Sequence, residues 1–160
     1  MKIQAMLLIA AAATLGACDT YGPPPVAAPL APAAAPGLTT ADKAPFGTYL
    51  VDSGGRAVYI LDGTRAQNGA YRCSGECTHH WPPVYAATPP VAAAGVNAGL
   101  LATIPAYGSV QTTYSGWPLY YYHRDMAPGD TTGQGVHDTW GTWYLLSPSG
   151  EPIRPAGGGY

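Results

Sequence analysis

Past its first 45 or so residues the chain alternates short apolar or β-branched runs with polar stretches rich in glycine and proline. After the first fifteen residues no segment sustains an apolar period of 3.6. Residues 48–51 and 57–61 are strand-like and are separated by Asp52-Ser53-Gly54-Gly55-Arg56, whose two glycines supply a turn. That pattern predicts a hairpin. Residues 100–104 and 110–114 form a second such pair, turned by 105–109. Residues 117–123 follow a Ser115-Gly116 turn, and 143–147 make a closing strand. Successive side chains on a strand point to opposite faces, so Tyr120 and Tyr122 share one face while Trp117, Leu119 and Tyr121 share the other. A strand aromatic on both faces is either enclosed between two layers or has one core face and one face that meets a partner. The fold expected is mainly β: a small antiparallel domain, sandwich or barrel-like.

The N-terminal part reads differently. Residues 3–15 are apolar apart from Gln4 and Thr14 and follow the positive Lys2. A run of about 13 residues is too short to cross a roughly 30 Å hydrocarbon layer but suits the core of an export signal. Leu15-Gly16-Ala17-Cys18 resembles the bacterial lipobox, which implies removal of residues 1–17 and acylation of Cys18. From 18 to 45 the prolines at 23, 24, 25, 29, 32, 36 and 45 deny a helix its donors and predict a disordered tether. The folded part is then expected over 46–153, with a flexible tail at 154–160.

Aligning Val58-Tyr59-Ile60-Leu61 with Leu119-Tyr120-Tyr121-Tyr122 exposes an internal repeat of roughly 60 residues. The first copy covers about 46–87, the connection 88–99 and the second copy about 100–153. Tyr120-Tyr121-Tyr122-His123-Arg124-Asp125 resembles the Tyr-x-(Phe/Trp/Tyr)-x-x-Asp signature of the bacterial secreted-repeat lipoproteins. The neighbouring Tyr114-Ser115-Gly116-Trp117-Pro118-Leu119, Ala127-Pro128-Gly129-Asp130 and Gly133-Gln134-Gly135-Val136 resemble that family's surroundings. The resemblance implies a small envelope lipoprotein of two related repeats, in a family without an assigned biochemical role. The first copy departs from the signature, with Leu61 in place of the aromatic and Thr64 in place of the aspartate. Only Asp125 can do whatever the signature aspartate does.

Composition narrows the chemistry. Charged residues make up 10% of the chain and the formal net charge is −2, so no basic surface is available to hold phosphate backbones and nucleic acid is not expected as a partner. With Cys18 acylated, Cys73 and Cys77 are the remaining thiols, and in an oxidising exported compartment their first reading is a disulfide. The competing reading notices His79 and His80, which with the two thiols could ligate copper or zinc. Oxidation would remove the thiolates, and the Cys-x-x-Cys-His of an attached haem is not present. No cofactor is therefore expected. Asp125, Asp130 and Asp138, with Met126 and His137 nearby, sit among glycines without calcium-loop spacing and read as turn formers.

No Gly-x-Ser-x-Gly or His-Glu-x-x-His is present, and a meeting of Glu76, Asp125 and Asp130 would be only a generic carboxylate cluster, so catalysis is not expected. The rings of Trp81, Trp117, Trp140, Trp143, Tyr120 and Tyr122 must largely form the core of a domain with one Phe. One or two of them, drawn from Trp81, Trp117, Tyr120, Tyr122 and Trp140, are left to offer a surface to a small ligand or envelope protein. The expectation is an exported, lipid-anchored envelope protein, facing the periplasm or the exterior, whose only membrane contact is the anchor. It binds or scaffolds rather than catalyses. A copper or redox carrier using Cys73, Cys77 and His79, and an enzyme without a recognisable motif, stay open as alternatives.

Overall fold

The computed structural model describes residues 37–65, 73–86, 90–106 and 108–155. The export signal, Cys18 and residues 19–36 of the expected tether lie outside the described residues, as do 87–89 and 156–160. The elements in chain order are β1 (Leu38–Lys43), β2 (Gly47–Asp52), β3 (Tyr59–Leu61), a one-turn helix α1 (Cys77–His80), β4 (Leu101–Ala106), β5 (Ser109–Tyr114), β6 (Trp117–Pro118), β7 (His137–Asp138) and β8 (Gly141–Leu145). They pair as three small antiparallel sheets, β1-β2, β3-β8-β7 and β4-β5-β6. The mainly β expectation holds, and no closed barrel forms among the described residues.

The stretch expected to be disordered up to 45 contains a strand. Residues 37–44 contain no proline, and Leu38 through Lys43 pair with β2 in the register Leu38↔Asp52 to Lys43↔Gly47. Leu38 is fully buried. The closely spaced prolines stop at Pro36, and the Thr-containing stretch behind them is free to donate to a sheet. The predicted strand over 117–123 is also shorter as a ladder. Only Trp117–Pro118 pairs with β5, after which the extended chain continues and bridges at Tyr120 to both Tyr59 and Pro83.

The alternation of that segment is as expected, and it settles which of the two arrangements applies. Tyr120 and Tyr122 enter one core, with Tyr49, Val51, Ala57, Tyr59, Leu61, Trp81, Trp143 and Leu145. Trp117 and Leu119 enter the other, with Leu38, Leu50, Val58, Ile60, Val84, Tyr114 and Leu146. β2, β3 and β8 split their side chains between the same two cores. Strands buried on both faces read as near-continuous apolar runs, which is what 57–61 and 143–146 look like in the sequence.

The aligned residues of the two repeats meet. Tyr59 and Tyr120 exchange backbone hydrogen bonds of 2.8 and 2.9 Å. Around this point the connections are reciprocal. β8 of the second repeat pairs with β3 of the first, Tyr59↔Leu145 through Leu61↔Trp143. Pro83 of the first repeat bridges to Tyr120 of the second. Likewise Leu50 N–H donates to Leu146 O at 2.9 Å, and Thr112 N–H donates to Val84 O at 2.8 Å. Each repeat therefore sends its last extended segment into the other.

Candidate functional site

The signature residues converge on the interior. Trp81 is buried to 1% exposure and stacks on Trp143 with ring centroids 3.9 Å apart and planes 7° from parallel; Tyr122 covers its other side at 4.3 Å. Tyr59 meets Trp81 edge-on at 5.6 Å, and Tyr120 meets Trp143 edge-on at 5.3 Å. Each fully buried ring withdraws on the order of 150–250 Å² from water, worth roughly 4–6 kcal/mol, and the edge-on contacts suit the ring quadrupoles. Asp138 closes the stack from one side. Its Oδ2 accepts both indole N–H groups, from Trp81 at 2.9 Å and Trp143 at 3.0 Å, while its Oδ1 accepts from Trp140 N and Gly141 N. The sequence presents Asp138 only as a turn residue. That it ties one Trp from each repeat could not be read from spacing.

Asp125 is buried and locks the repeats a second time. Its Oδ2 accepts the hydroxyl of Tyr59 at 2.6 Å, and its Oδ1 accepts Thr132 N at 2.9 Å and Thr132 Oγ1 at 2.6 Å. The Tyr59 hydroxyl in turn accepts from Gly133 N. Burial first, and then the hydrogen bond and charge of Asp125, hold the Tyr59 hydroxyl above the ordinary phenol range, so it stays a donor. Gly133 is required by packing, because a Cβ there would lie 2.9 Å from the Tyr59 ring and 3.0 Å from Tyr122 Cβ. Gln134 works like a short strand: its Oε1 accepts Leu145 N and its Nε2 donates to Ile153 O. Asp130 accepts Met126 N and Ala127 N with one oxygen. In the first repeat Thr64 occupies the aspartate's place and only satisfies itself, donating to Leu61 O at 2.6 Å.

Cys73 and Cys77 are bonded to each other, with Cα atoms 5.1 Å apart, and both are fully buried. The thiolate set of a metal carrier is therefore occupied by the disulfide. His79 and His80 lie on α1 rather than on a strand, and each faces the carboxylate of Glu76, at 3.3 and 3.7 Å. Among the described residues no group of three or more His, Cys, Asp and Glu is arranged to hold a metal ion. Glu76, Asp125 and Asp130 do not act as a cluster: the first pairs with histidines, the second with Tyr59 and Thr132, the third with loop backbone. His137 is exposed on β7, its ring beside Thr142 Oγ1 of β8, and Met126 is exposed on the loop.

Of the rings considered for a ligand surface, Trp81, Trp117, Tyr120 and Tyr122 are core. Trp140 is the exception. It is half-buried and borders a shallow groove of about 280 Å³, lined also by His80, Trp81, Tyr122, His123, Arg124 and Asp138. His80 lies 5.6 Å from Trp140 and 4.8 Å from His123, the second pair edge-on. One ring nitrogen of His123, Nδ1, is 3.0 Å from His80 O. A carbonyl can only accept, so Nδ1 is the donor in this contact. The groove thus brings together an indole ring, two imidazoles and a guanidinium, with the Asp138 carboxylate among them already bonded to the Trp81 and Trp143 indoles. It draws on both repeats: the first supplies His80 from α1 and Trp81 just after it, while the signature segment and the β7 turn of the second supply the rest.

Residues 102–147 match the family model described as a secreted repeat of unknown function, the family that the signature resembles. The match spans the second repeat from β4 to the end of β8 and supports an exported protein. No curated protein and no solved structure matches the chain. No helix among the described residues is long and apolar enough to cross a membrane.

Proposed function

We propose that the protein is a lipid-anchored component of the bacterial cell envelope that acts by non-catalytic binding, and that the groove beside Trp140 holds its ligand. The anchor rests on Leu15-Gly16-Ala17-Cys18 at the end of a short apolar run, which resembles a lipobox. The observation that carries the binding role is the contrast between the two sets of aromatics. The signature rings are consumed by the core, whereas the half-buried Trp140 borders a groove whose His80, His123 and Arg124 can bond to a ligand's polar rim. That mixture suits a small flat ring with polar substituents, such as a sugar or an aromatic acid. A non-catalytic role is supported by the use of Asp52, Asp125 and Asp138 to bind tyrosine hydroxyls, indoles and loop backbone, which leaves the interior carboxylates no proton-transfer task.

Native mass spectrometry of the protein extracted from its own envelope tests this reading. Wild type should carry a non-covalent added mass that Trp140→Ala loses. Bare wild-type protein, or an added mass that Trp140→Ala retains, would count against it. A carrier acting through Cys73, Cys77 and His79 would instead show bound copper that survives Trp140→Ala.

A further inference from the structure

We infer that the two repeats are obligate partners of one another, so that the chain is a covalently joined form of a strand-exchanged dimer. Three independent sets of contacts carry this. The backbone set is reciprocal: the first repeat's 83–85 segment bridges to Tyr120 and to Gln111 of the second, while the second repeat's β8 pairs with β3 of the first. The two bonds Leu50 N to Leu146 O and Thr112 N to Val84 O occupy corresponding places at the two hairpins. The ring set is shared, since Trp81 from one repeat and Trp143 from the other stack face to face. The polar set is also shared: Asp125 of the second repeat holds Tyr59 of the first, and Asp138 holds an indole from each.

A repeat taken by itself keeps its hairpin, β1-β2 or β4-β5, but loses the strand that covers its signature segment and half of its ring stack. Two-stranded hairpins of this length are marginal in water without a further layer. Each repeat thus presents an unfinished sheet and an unfilled aromatic socket that the other repeat completes. The covalent link between them is peripheral. The link runs through residues 90–97, largely exposed, and touches the first repeat at β1, where Leu38 N donates to Val91 O and Ala93 N donates to Leu38 O. The Ala94-Gly95 turn beyond this contact is exposed, and neither residue belongs to a core.

The test inserts a specific protease site between Ala94 and Gly95 of the full-length chain and cuts it after folding. The two pieces should co-elute as one species at micromolar concentration with the near-ultraviolet circular dichroism of the uncut protein. After denaturation and separation each alone should lack that signal, and mixing should restore it at a rate that rises with concentration. Pieces that part on cutting, or either piece keeping the aromatic signal alone, would overturn the inference. If the insertion itself blocks folding, native-state hydrogen exchange on the unmodified chain decides. The amides of Leu50, Tyr59, Thr112 and Tyr120 should be released in a single opening, and protection kept in one repeat while the other opens would overturn it.

Discussion

Asp125 is the residue at which a structural and a ligand-binding meaning of the signature part company. Replacing it by Ala removes the acceptor of three donors, Tyr59 Oη, Thr132 N and Thr132 Oγ1, at a site that is only 6% exposed. Tyr59 is fully buried, so its hydroxyl finds no water in exchange, whereas the exposed Thr132 can recover part of its loss from solvent. A stranded buried donor costs about 1–3 kcal/mol, and hydrogen bonds to a charged group contribute about 1.5–3 kcal/mol each before such recovery. The net loss expected for Asp125→Ala is therefore about 3 kcal/mol. For a domain of this size that lowers the melting temperature by roughly 10 °C in thermal unfolding followed by circular dichroism. Asp125→Asn keeps one acceptor oxygen for Thr132 but turns an amide toward Tyr59, and should cost about half as much. Tyr59→Phe in the Asp125→Ala background should add little, because the partner is already gone, giving a coupling of about 1–2 kcal/mol in the double-mutant cycle. A shift below about 2 °C for Asp125→Ala, or strictly additive losses in the cycle, would refute this account of the signature.

Asp138→Ala strands two indole N–H groups and should cost about 2–4 kcal/mol, with weakening of the near-ultraviolet signal from the Trp81–Trp143 stack. Reduction of the Cys73–Cys77 bond opens a short ring, so equilibrium unfolding with and without reductant should differ by only about 2 kcal/mol, with the change centred on α1. Tyr59 and Tyr121 are both held above the ordinary phenol range, chiefly by burial and then by Asp125 and Asp52. The folded state thus keeps protons that the unfolded state sheds. Stability should be intact below the unfolded-state value of about 10 and fall as pH rises beyond it, and Tyr59→Phe should flatten that fall in alkaline denaturant titrations. Cys18→Ser should release the protein from membranes or leave an unprocessed precursor, seen by fractionation and mass; normal processing with unchanged membrane association would refute lipidation.

Much of the fold was legible because its strands are buried on both faces. Runs such as 57–61 and 117–122 announce themselves as β, and the alternation of Tyr120 and Tyr122 against Trp117 and Leu119 assigns side chains to faces before any partner is known. The repeat alignment named the two tyrosines that pair with each other. β1 was hidden by its neighbours, since seven prolines between 23 and 45 mask the proline-free stretch 37–44 in any average over the segment. α1 was hidden by its length, because one turn carries no period. The groove was the least legible part. Trp140, His80 and His123 are separated by about 20 to 60 positions and meet only through the exchange of segments between repeats, a long-range feature with no local signature. The role of Asp138 was lost for the same reason: an Asp before a glycine turn looks alike whether or not two indoles reach it.

The claim that the signature builds the fold and leaves binding to the groove is tested most directly by comparing Trp140→Ala with wild type, both purified from their native envelope. Melting temperature and native mass would be read on the same samples. The account predicts a melting temperature within about 3 °C of wild type, as expected for a half-buried ring outside the central stack, together with loss of the envelope-derived mass. A Trp140→Ala protein that keeps the added mass, while Asp125→Asn melts like wild type and loses it, would contradict the account and place the ligand at the signature.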